Sequence, residues 1–244
     1  MNGTATDLCR HVHVHTQGRR NHADGSSTDH DRSQMNQGNT ILLCHRCQNR
    51  GQDHNSRRCV HEGETCIDVS LCLDGGEISI DTGVGFLNHM LELFAKHGGF
   101  GLTIKATGDT HIDFHHIAED IGIVLGKGFK EAAGDKCGIN RYGFMLLPMD
   151  EVLIETAVDF GGRTYFNWDV AFSAAKVGDF DTELVEEFWR AFCHNSCCNL
   201  HVIMRYGGNA HHVAEGVFKS VARSLKEALK IVGTDVMSTK GVLE

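Results

Sequence analysis

Apolar and polar positions fall into a regular order only from about residue 59 onward. Over residues 64–73, Ile67, Val69, Leu71 and Leu73 alternate with Asp68, Ser70 and Cys72, the period-2 signature of a strand with one buried face. Asp74-Gly75-Gly76 reads as a turn, with Ile78 and Ile80 as the hairpin partner of that strand. Phe86, Leu87, Met90, Leu91, Leu93 and Phe94 recur at helical spacing and stop at Gly98-Gly99, a glycine stop signal. Leu102, Ile104 and Ala106 alternate again. Ile117, Ile121, Val124 and Leu125 then return to helical spacing between His115 and Phe129, and Gly134 closes the first half. The second half repeats the order, with strands over 152–158 and 163–170, a helix from 184 to about 198, a strand over 200–206 and a helix over 211–229. Both halves read strand, strand, helix, strand, helix, and an added strand is expected near 141–147 in the second.

Residues 1–58 have no such pattern. They are rich in Asn, Gln, Gly, Ser, Thr, Arg and His and contain no aromatic residue, so they cannot bury enough apolar surface to offset the entropy of ordering. The segment is read as a disordered, His-rich tail. The patterned domain then spans 59–244, in halves of about 59–136 and 137–244. Seven histidines lie in the tail, including the alternating His11-Val12-His13-Val14-His15. Cys44-His45-Arg46-Cys47 looks like half a zinc knuckle without its second half, although Cys9, His54 and Cys59 could join it. A solvated tail with adventitious metal affinity is the plainer reading.

Composition narrows the function. The 244 residues carry 32 acidic and 23 basic side chains, a net charge of −9, which argues against nucleic-acid binding but not against a small basic pocket. No apolar run approaches the ~18 residues of a membrane span, and the N-terminus lacks the apolar stretch of a secretory signal. A cytoplasmic chain is expected. A plastid location would require the tail to be a transit segment, against which its five Asp residues count. The ten cysteines are read as reduced, because Cys197-Cys198 are adjacent in a helical context and no signal peptide is present. Seventeen histidines are the unusual figure, since histidine is both the commonest metal ligand and the usual proton shuttle near neutral pH.

Those histidines are duplicated with the fold. NHMLELFAKHGGFGLTI (from Asn88) aligns with EEFWRAFCHNSCCNLHV (from Glu186), so that His89 falls on Glu187, 98 residues later. HHIAED (from His115) aligns with HHVAEG (from His211), 96 residues later. Each half thus contains His-His-x-x-Glu at a helix start: His115, His116 and Glu119, then His211, His212 and Glu215. Residues three and four apart share a helix face, so each glutamate lies beside its two histidines. Two imidazoles and a carboxylate suit Mn, Fe or Zn. One copy alone would be an ordinary exposed helix start, but two copies in register are not readily coincidence. With His89 and Glu187 the candidate ligands number eight, enough for two metals with open positions for water or substrate. His97, His111, His194 and His201 lack the symmetry, and packing or supporting roles are expected of the last two.

The segments TGVGFLNHMLELFAKHGGF, HHIAED, PMDE, FDTELVEEF, HHVAEGVFKSVARSL and STKGVL resemble imidazoleglycerol-phosphate dehydratase, a lyase of histidine biosynthesis. The resemblance covers the chain from about Cys59 to its end. It implies a duplicated α/β (α+β) sandwich of the ribosomal protein S5 domain 2-like type, assembled into trimers and a large cubic homo-oligomer. It also implies active sites between subunits, each holding two Mn²⁺. The ligands it implies are His89, His115, His116, Glu119, His211, His212 and Glu215, with Glu187 where many members have His. It places Glu64 near the substrate imidazole as the expected proton-transfer group and His97 at the end of the substrate loop. Arg141, Arg163, Lys219, Ser238 and Lys240 match phosphate-binding positions. The implied reaction is loss of water from D-erythro-imidazoleglycerol phosphate to give imidazole acetol phosphate, with His89, His97, His116, Glu119, His212 and Glu215 joining Glu64 as catalytic candidates.

Several positions depart from the family pattern. Asn88 and Phe114 stand where Asp is usual, and loss of carboxylates beside ligating histidines would weaken metal binding or rate by roughly 10- to 100-fold each. Gly161 replaces a usual Ser, Met237 a usual Pro, and His61-Glu62-Gly63 a usual Arg-Thr-x. These departures support an alternative, a catalytically weak homologue that keeps fold, assembly and metal binding. A binuclear hydrolase on the same ligands would leave the phosphate-binding and STKGVL matches unexplained.

Overall fold

The computed structural model describes residues 10–17, 40–43, 65–241 and 243. In chain order the strands and helices are β1 (His11–Gln17), β2 (Thr40–Leu43), β3 (Thr65–Cys72), β4 (Ile78–Asp81), α1 (Gly85–Gly98), β5 (Gly101–Gly108), α2 (His115–Ala133), β6 (Tyr142–Met149), β7 (Val152–Asp159), β8 (Tyr165–Asp169), β9 (Lys176–Val177), β10 (Phe180–Asp181), α3 (Glu183–Ser196), β11 (Asn199–Tyr206) and α4 (Ala210–Ala228). One sheet has the order β2-β1-β3-β5-β4 and the other β6-β7-β11-β8, with β9 and β10 forming a short hairpin. The helices lie between the sheets: α2 packs on β3 and α4 on β6 and β7, while α1 meets α4 and α2 meets α3. This is the expected α+β sandwich.

Period-2 burial holds in β3, where Thr65, Ile67, Val69 and Leu71 face inward, and in β7, where Val152, Ile154, Thr156 and Val158 do. The helices bury aromatic stripes that interlock. The Trp189 ring lies 4.9 Å from those of Phe188 and Phe218, 5.5 Å from Phe192 and 5.7 Å from Phe94, joining α3, α4 and α1. Phe129 of α2 adds contacts to Phe94, Phe100 and Phe192. Helix α1 ends where the Gly98-Gly99 signal places it, with Gly99 in the left-handed region at φ 68°.

Two expectations are corrected. β4 is not the hairpin partner of β3; it runs parallel to β5, with Ile78 opposite Leu102 and Ile80 opposite Ile104. Gly75 and Gly76 take φ of 103° and 148°, and a Cβ on Gly101 would sit 2.8 Å from the Gly75 carbonyl oxygen. The glycines let the chain cross tightly over the start of β5 and enter on its far side.

The second correction concerns the tail, which is not disordered throughout. His11–Gln17 is a strand antiparallel to β3, from His11 opposite Cys72 to Gln17 opposite Cys66. Val12 and Val14 are buried in the core, and β2 pairs in turn with β1. Arg10 anchors the strand: its guanidinium donates to the Asp74 carboxylate at 2.6 and 3.2 Å and to the Leu229 carbonyl at 2.6 Å. Its own carbonyl accepts the Leu73 N–H at 3.0 Å. β1 therefore stands beside β3 as β6 stands beside β7, and the added strand expected only in the second half is present in both. The remaining tail residues, the knuckle-like Cys44–Cys47 and Glu64 lie outside the described residues. Among the described residues, Cys137, Cys193, Cys197 and Cys198 stand outside any disulfide.

Because Val14 is buried against Val69, its pairing partner, Val14→Asp is expected to lower the unfolding free energy of the full chain by about 2–4 kcal/mol in urea titration. An unchanged midpoint would detach β1 from the core. Burial alone would raise the Asp74 pKa, but its hydrogen bonds from Arg10 hold it below the usual value of 3.8. A depressed carboxylate stabilises the fold above its unfolded pKa and loses that contribution as pH falls through the folded one. Arg10→Met is accordingly expected to speed amide exchange across β1 at neutral pH, with the difference from the parent vanishing well below pH 3.8.

Candidate metal centre and active site

The two His-His-x-x-Glu motifs open α2 and α4, and a polar side chain just before each accepts its first histidine's N–H. The Asn209 side chain accepts the N–H groups of His211 and His212 at 2.9 and 3.3 Å, and Asp113 accepts that of His115 at 2.8 Å. Helix packing then exchanges partners between the halves. His89, on α1 of the first half, meets α4 of the second. Its Nε2 lies 3.0 Å from Glu215 Oε1, as does Nε2 of His211. These three residues form a cluster with donor atoms within 4.8 Å of one another. Two imidazole nitrogens and a carboxylate oxygen converging on one point fit a divalent transition metal such as manganese.

The other end of the helix layer is less converged. His115 Nε2 lies 3.9 Å from Glu119 Oε2. Glu187, on α3, is held by Arg190 at 3.5 Å, and the Arg190 guanidinium also pairs with Glu186 and covers the Phe166 ring. Among the described residues, Glu187 does not join His115 and Glu119 in a cluster within 4.8 Å.

The second histidine of each motif is treated alike. His116 Nδ1 is 2.9 Å from Asp109 Oδ2 and His212 Nδ1 is 2.9 Å from Glu151 Oε2. Asp109 and Glu151 are the residues that sequence reasoning missed. The signal for Glu151 was the PMDE segment, quoted without a role for its glutamate; Asp109 had none beyond a carboxylate six residues before His115. The feared losses at Asn88 and Phe114 do not occur at these imidazoles. Asn88 Oδ1 accepts the Thr82 N–H at 2.9 Å and hydroxyl at 2.6 Å, bonds an aspartate would also accept, and so secures the loop that leads into α1. Phe114 packs over Phe180, ring centroids 6.4 Å apart, and lines a cleft of about 460 Å³ with Phe86, Val84 and Val177.

Phosphate-type chemistry collects elsewhere. Arg141, Arg163, Ser238 and Lys240 line one cleft of about 490 Å³ with Tyr142, Gly161 and Met237. Arg141 is fixed by a two-point pair to Asp159 at 2.7 and 3.0 Å and by the Met237 carbonyl at 2.9 Å. Gly161 has a local reason: a Cβ there would lie 2.7 Å from the Asp159 carboxylate and 2.9 Å from Arg141. Lys219 is not in this cleft. Its Nζ donates to Glu215 at 2.5 Å. Burial would raise the Glu215 pKa, but hydrogen bonds from Lys219, His89 and His211 hold the carboxyl down to about 2. Burial, then the positive charges of Lys219 and Arg223, push the His97 imidazole below its usual value, so it is neutral at pH 7.

A family model described as imidazoleglycerol-phosphate dehydratase matches residues 82–225. The chain belongs to this family. It is 50% identical over 184 residues to the imidazoleglycerol-phosphate dehydratase of Rhodopirellula baltica, covering 74% of this chain and 91% of that one. It is 54% identical over 183 residues to that of Citrifermentans bemidjiense, covering 74% and 94%. The crystal structure of the Staphylococcus aureus dehydratase superposes with a TM-score of 0.65 at 46% identity, covering 68% of this chain and 95% of that one. A dehydratase fold with four aligned helices thus carries both His-His-x-x-Glu motifs. Among the described residues no helix is long and apolar enough to cross a membrane.

Since Phe114 packs against the core and over Phe180, Phe114→Asp is expected to cost about 1–3 kcal/mol of stability and leave manganese affinity unimproved. Thermal melts and manganese titration check both; tighter metal binding in the variant would contradict the assignment.

Proposed function

We infer that the chain is a hydro-lyase that removes water from D-erythro-imidazoleglycerol phosphate to give imidazole acetol phosphate, a step of histidine biosynthesis. The observation that carries this reading is the pairing of the His89–His211–Glu215 cluster with a separate cleft of Arg141, Arg163, Ser238 and Lys240. One set suits an imidazole-binding metal and the other a phosphate, the two ends of the substrate.

His89, His211 and Glu215 would hold one Mn²⁺, and His115, Glu119 and Glu187 a second, with His116 and His212 completing the shells. Bound manganese supplies Lewis-acid polarisation and a template for the substrate ring. The chain's own residues do the rest. The four cleft groups grip the phosphate and fix the carbon chain, which supplies much of the barrier reduction by orientation. Glu64 is the proton-transfer group at the carbon. In support, Thr65, the next residue, is tied at the start of β3 to Asp120, the neighbour of Glu119, through a 2.5 Å hydrogen bond. Neutral His97 and the cation Lys219 then approach substrate from α1 and α4.

The site is completed by neighbouring copies, in trimers and a cubic assembly. Two observations support this. Lys219 and Glu187 are separated in a single chain from the groups they are expected to join. On the edge strand β6, Tyr142 and Phe144 are 52% and 58% exposed, beside exposed Leu146, an apolar row that a second chain would cover.

The full chain loaded with Mn²⁺ is expected to form imidazole acetol phosphate. Glu64→Gln should abolish turnover while retaining metal, and His89→Ala should lower metal affinity and turnover by roughly 100-fold or more. No turnover in an assembled protein with two manganese per chain would replace this reading with the metal-binding homologue. No structural observation favours that second reading: Asn88 bonds Thr82 and Phe114 packs over Phe180.

A further inference from the structure

We propose that Asp159 and Asn199 are positioning residues that aim Arg141 and Arg163 into the anion cleft at one end of the β6-β7-β11-β8 sheet. The proposal rests on the phosphate-binding reading of that cleft given above. Strand register puts the two residues side by side. Asp159 ends β7, Asn199 begins β11, and each is the other's pairing partner; Tyr142 on β6 and Tyr165 on β8 complete the row. Residues 160–164 leave β7, cross the start of β11 and enter β8 on the far side of β11. Asn199 meets that crossing. Its Nδ2 donates to the Arg163 carbonyl at 2.6 Å, and the Tyr165 N–H donates to the Cys198 carbonyl at 3.2 Å. The segment that carries Arg163 is thereby tied to β11 at Arg163 and again two residues later.

Asp159 acts on a side chain where Asn199 acts on a backbone. Its carboxylate accepts from Nε and Nη2 of Arg141 at 2.7 and 3.0 Å, and the Met237 carbonyl accepts from Nη1 at 2.9 Å. A guanidinium has five N–H groups. Among the described residues three are engaged, which leaves one on each terminal nitrogen, and such a pair can hold an oxyanion at two points. The Arg141 backbone is held as well. Its φ of 70° lies in the left-handed region that side chains rarely adopt. Its N–H donates to the Ala228 carbonyl at 2.8 Å, and its carbonyl accepts the Phe160 N–H at 2.8 Å. A conformation of this kind persists only where the surroundings impose it, and it concentrates at ligand clamps.

A carboxylate beside an anion cleft could instead serve to temper the positive charge there, and the two roles differ in sign. Were charge alone at stake, removing Asp159 would leave Arg141 uncompensated and tighten anion binding. If Asp159 aims the guanidinium, removing it releases the side chain among rotamers, and binding weakens by the cost of ordering it again. Asn199 carries no charge, so its loss acts through the placement of Arg163 alone.

Binding of inorganic phosphate to the metal-stripped full chain, followed by ³¹P line width at constant ionic strength, tests this without manganese or turnover in the readout. Asp159→Asn, of the same shape, is expected to weaken phosphate binding about 10-fold, and Asn199→Ala about 3-fold or more. Asp159→Ala should lose at least as much as Asp159→Asn, and Asp159→Glu, which keeps the carboxylate, should recover part of that loss. In an Arg141→Ala background Asp159→Asn should cause no further loss, because Asp159 acts through that side chain. On the manganese-loaded chain Asp159→Asn and Asn199→Ala should raise KM for imidazoleglycerol phosphate by similar factors and change kcat less. Circular dichroism and thermal melts check the folding of each variant. Unchanged or tighter phosphate binding in either folded variant would overturn the proposal, as would an equal loss in the Arg141→Ala background or a defect confined to kcat. A parent chain that binds no phosphate would overturn it together with the reading of the cleft. A parent that binds phosphate with this dependence but forms no product would overturn the hydro-lyase reading and leave the positioning role standing.

Discussion

The arrangement of this molecule depends on how closely α2 approaches α3. A Cβ on Gly122 would lie 2.5 Å from the Phe188 carbonyl oxygen, and one on Gly126 2.5 Å from that of Phe192. The two glycines are four residues apart and so share one helix face. Without side chains there, the backbones of the two halves touch directly. That contact presses Trp189 and Phe192 into the aromatic cluster with Phe94 and Phe129. Helix α1 packs chiefly on α4 and β4, and the His89–His211–Glu215 cluster follows from the α1–α4 pairing. A helix layer held apart by even one methyl per turn would move donor atoms that need placement to a few tenths of an ångström.

The same layer sorts charge. The protein is acidic overall, and three of its cations in and beside this layer are tied to specific acceptors. Arg141 is paired with Asp159, Arg190 with Glu186 and Glu187, and Lys219 with Glu215. The Lys219–Glu215 pair is mostly buried, with side chains 13% and 11% exposed. Removing either partner would leave an uncompensated charge, which costs far more than the pair contributes. Glu215 thereby stays ionised and keeps its acceptor oxygens toward His89 and His211. Arg141 is stiffened in the same way, so the phosphate-type cleft offers a fixed guanidinium and not a flexible one.

Most of the fold was legible because its signals are local. The period-2 runs of β3, β5, β7 and β11 and the helical stripes ending at Gly99 or Gly134 each sit within about twenty residues. The failures were non-local or depended on shape. β1 pairs with β3 across a long intervening segment, and a seven-residue strand with two buried valines is invisible beside the polar residues around it. β4 was assigned to the wrong neighbour because a turn followed by alternation looks the same whether the chain folds back or crosses over. The ligands were legible because the duplication repeated them. Their carboxylate supports were not, because Asp109 and Glu151 arrive from loops with no common spacing to the histidines they touch.

The duplication also explains which departures from the family pattern matter. With His115 placed on His211, Asp113 falls on Asn209 and Phe114 on Ala210. Asp113 and Asn209 each accept the N–H of the first histidine of their motif. The position that accepts this N–H is therefore polar in both halves, and the next position is already apolar in one of them. Phe114 extends to the first half what Ala210 shows in the second: this site is a packing position. The strand registers carry the comparison further. Leu71 opposes Leu102 as Val158 opposes Leu200, which sets Thr65 on Val152. The residues just before them are Glu64 and Glu151. In sequence, a glutamate thus precedes the second strand of each half. In the second half that carboxylate lies 2.9 Å from the His212 imidazole. A duplicated fold needs the same scaffold position twice but not the same chemistry twice, so the imidazole contact of Glu151 and the proton transfer proposed for Glu64 are compatible with one duplicated position.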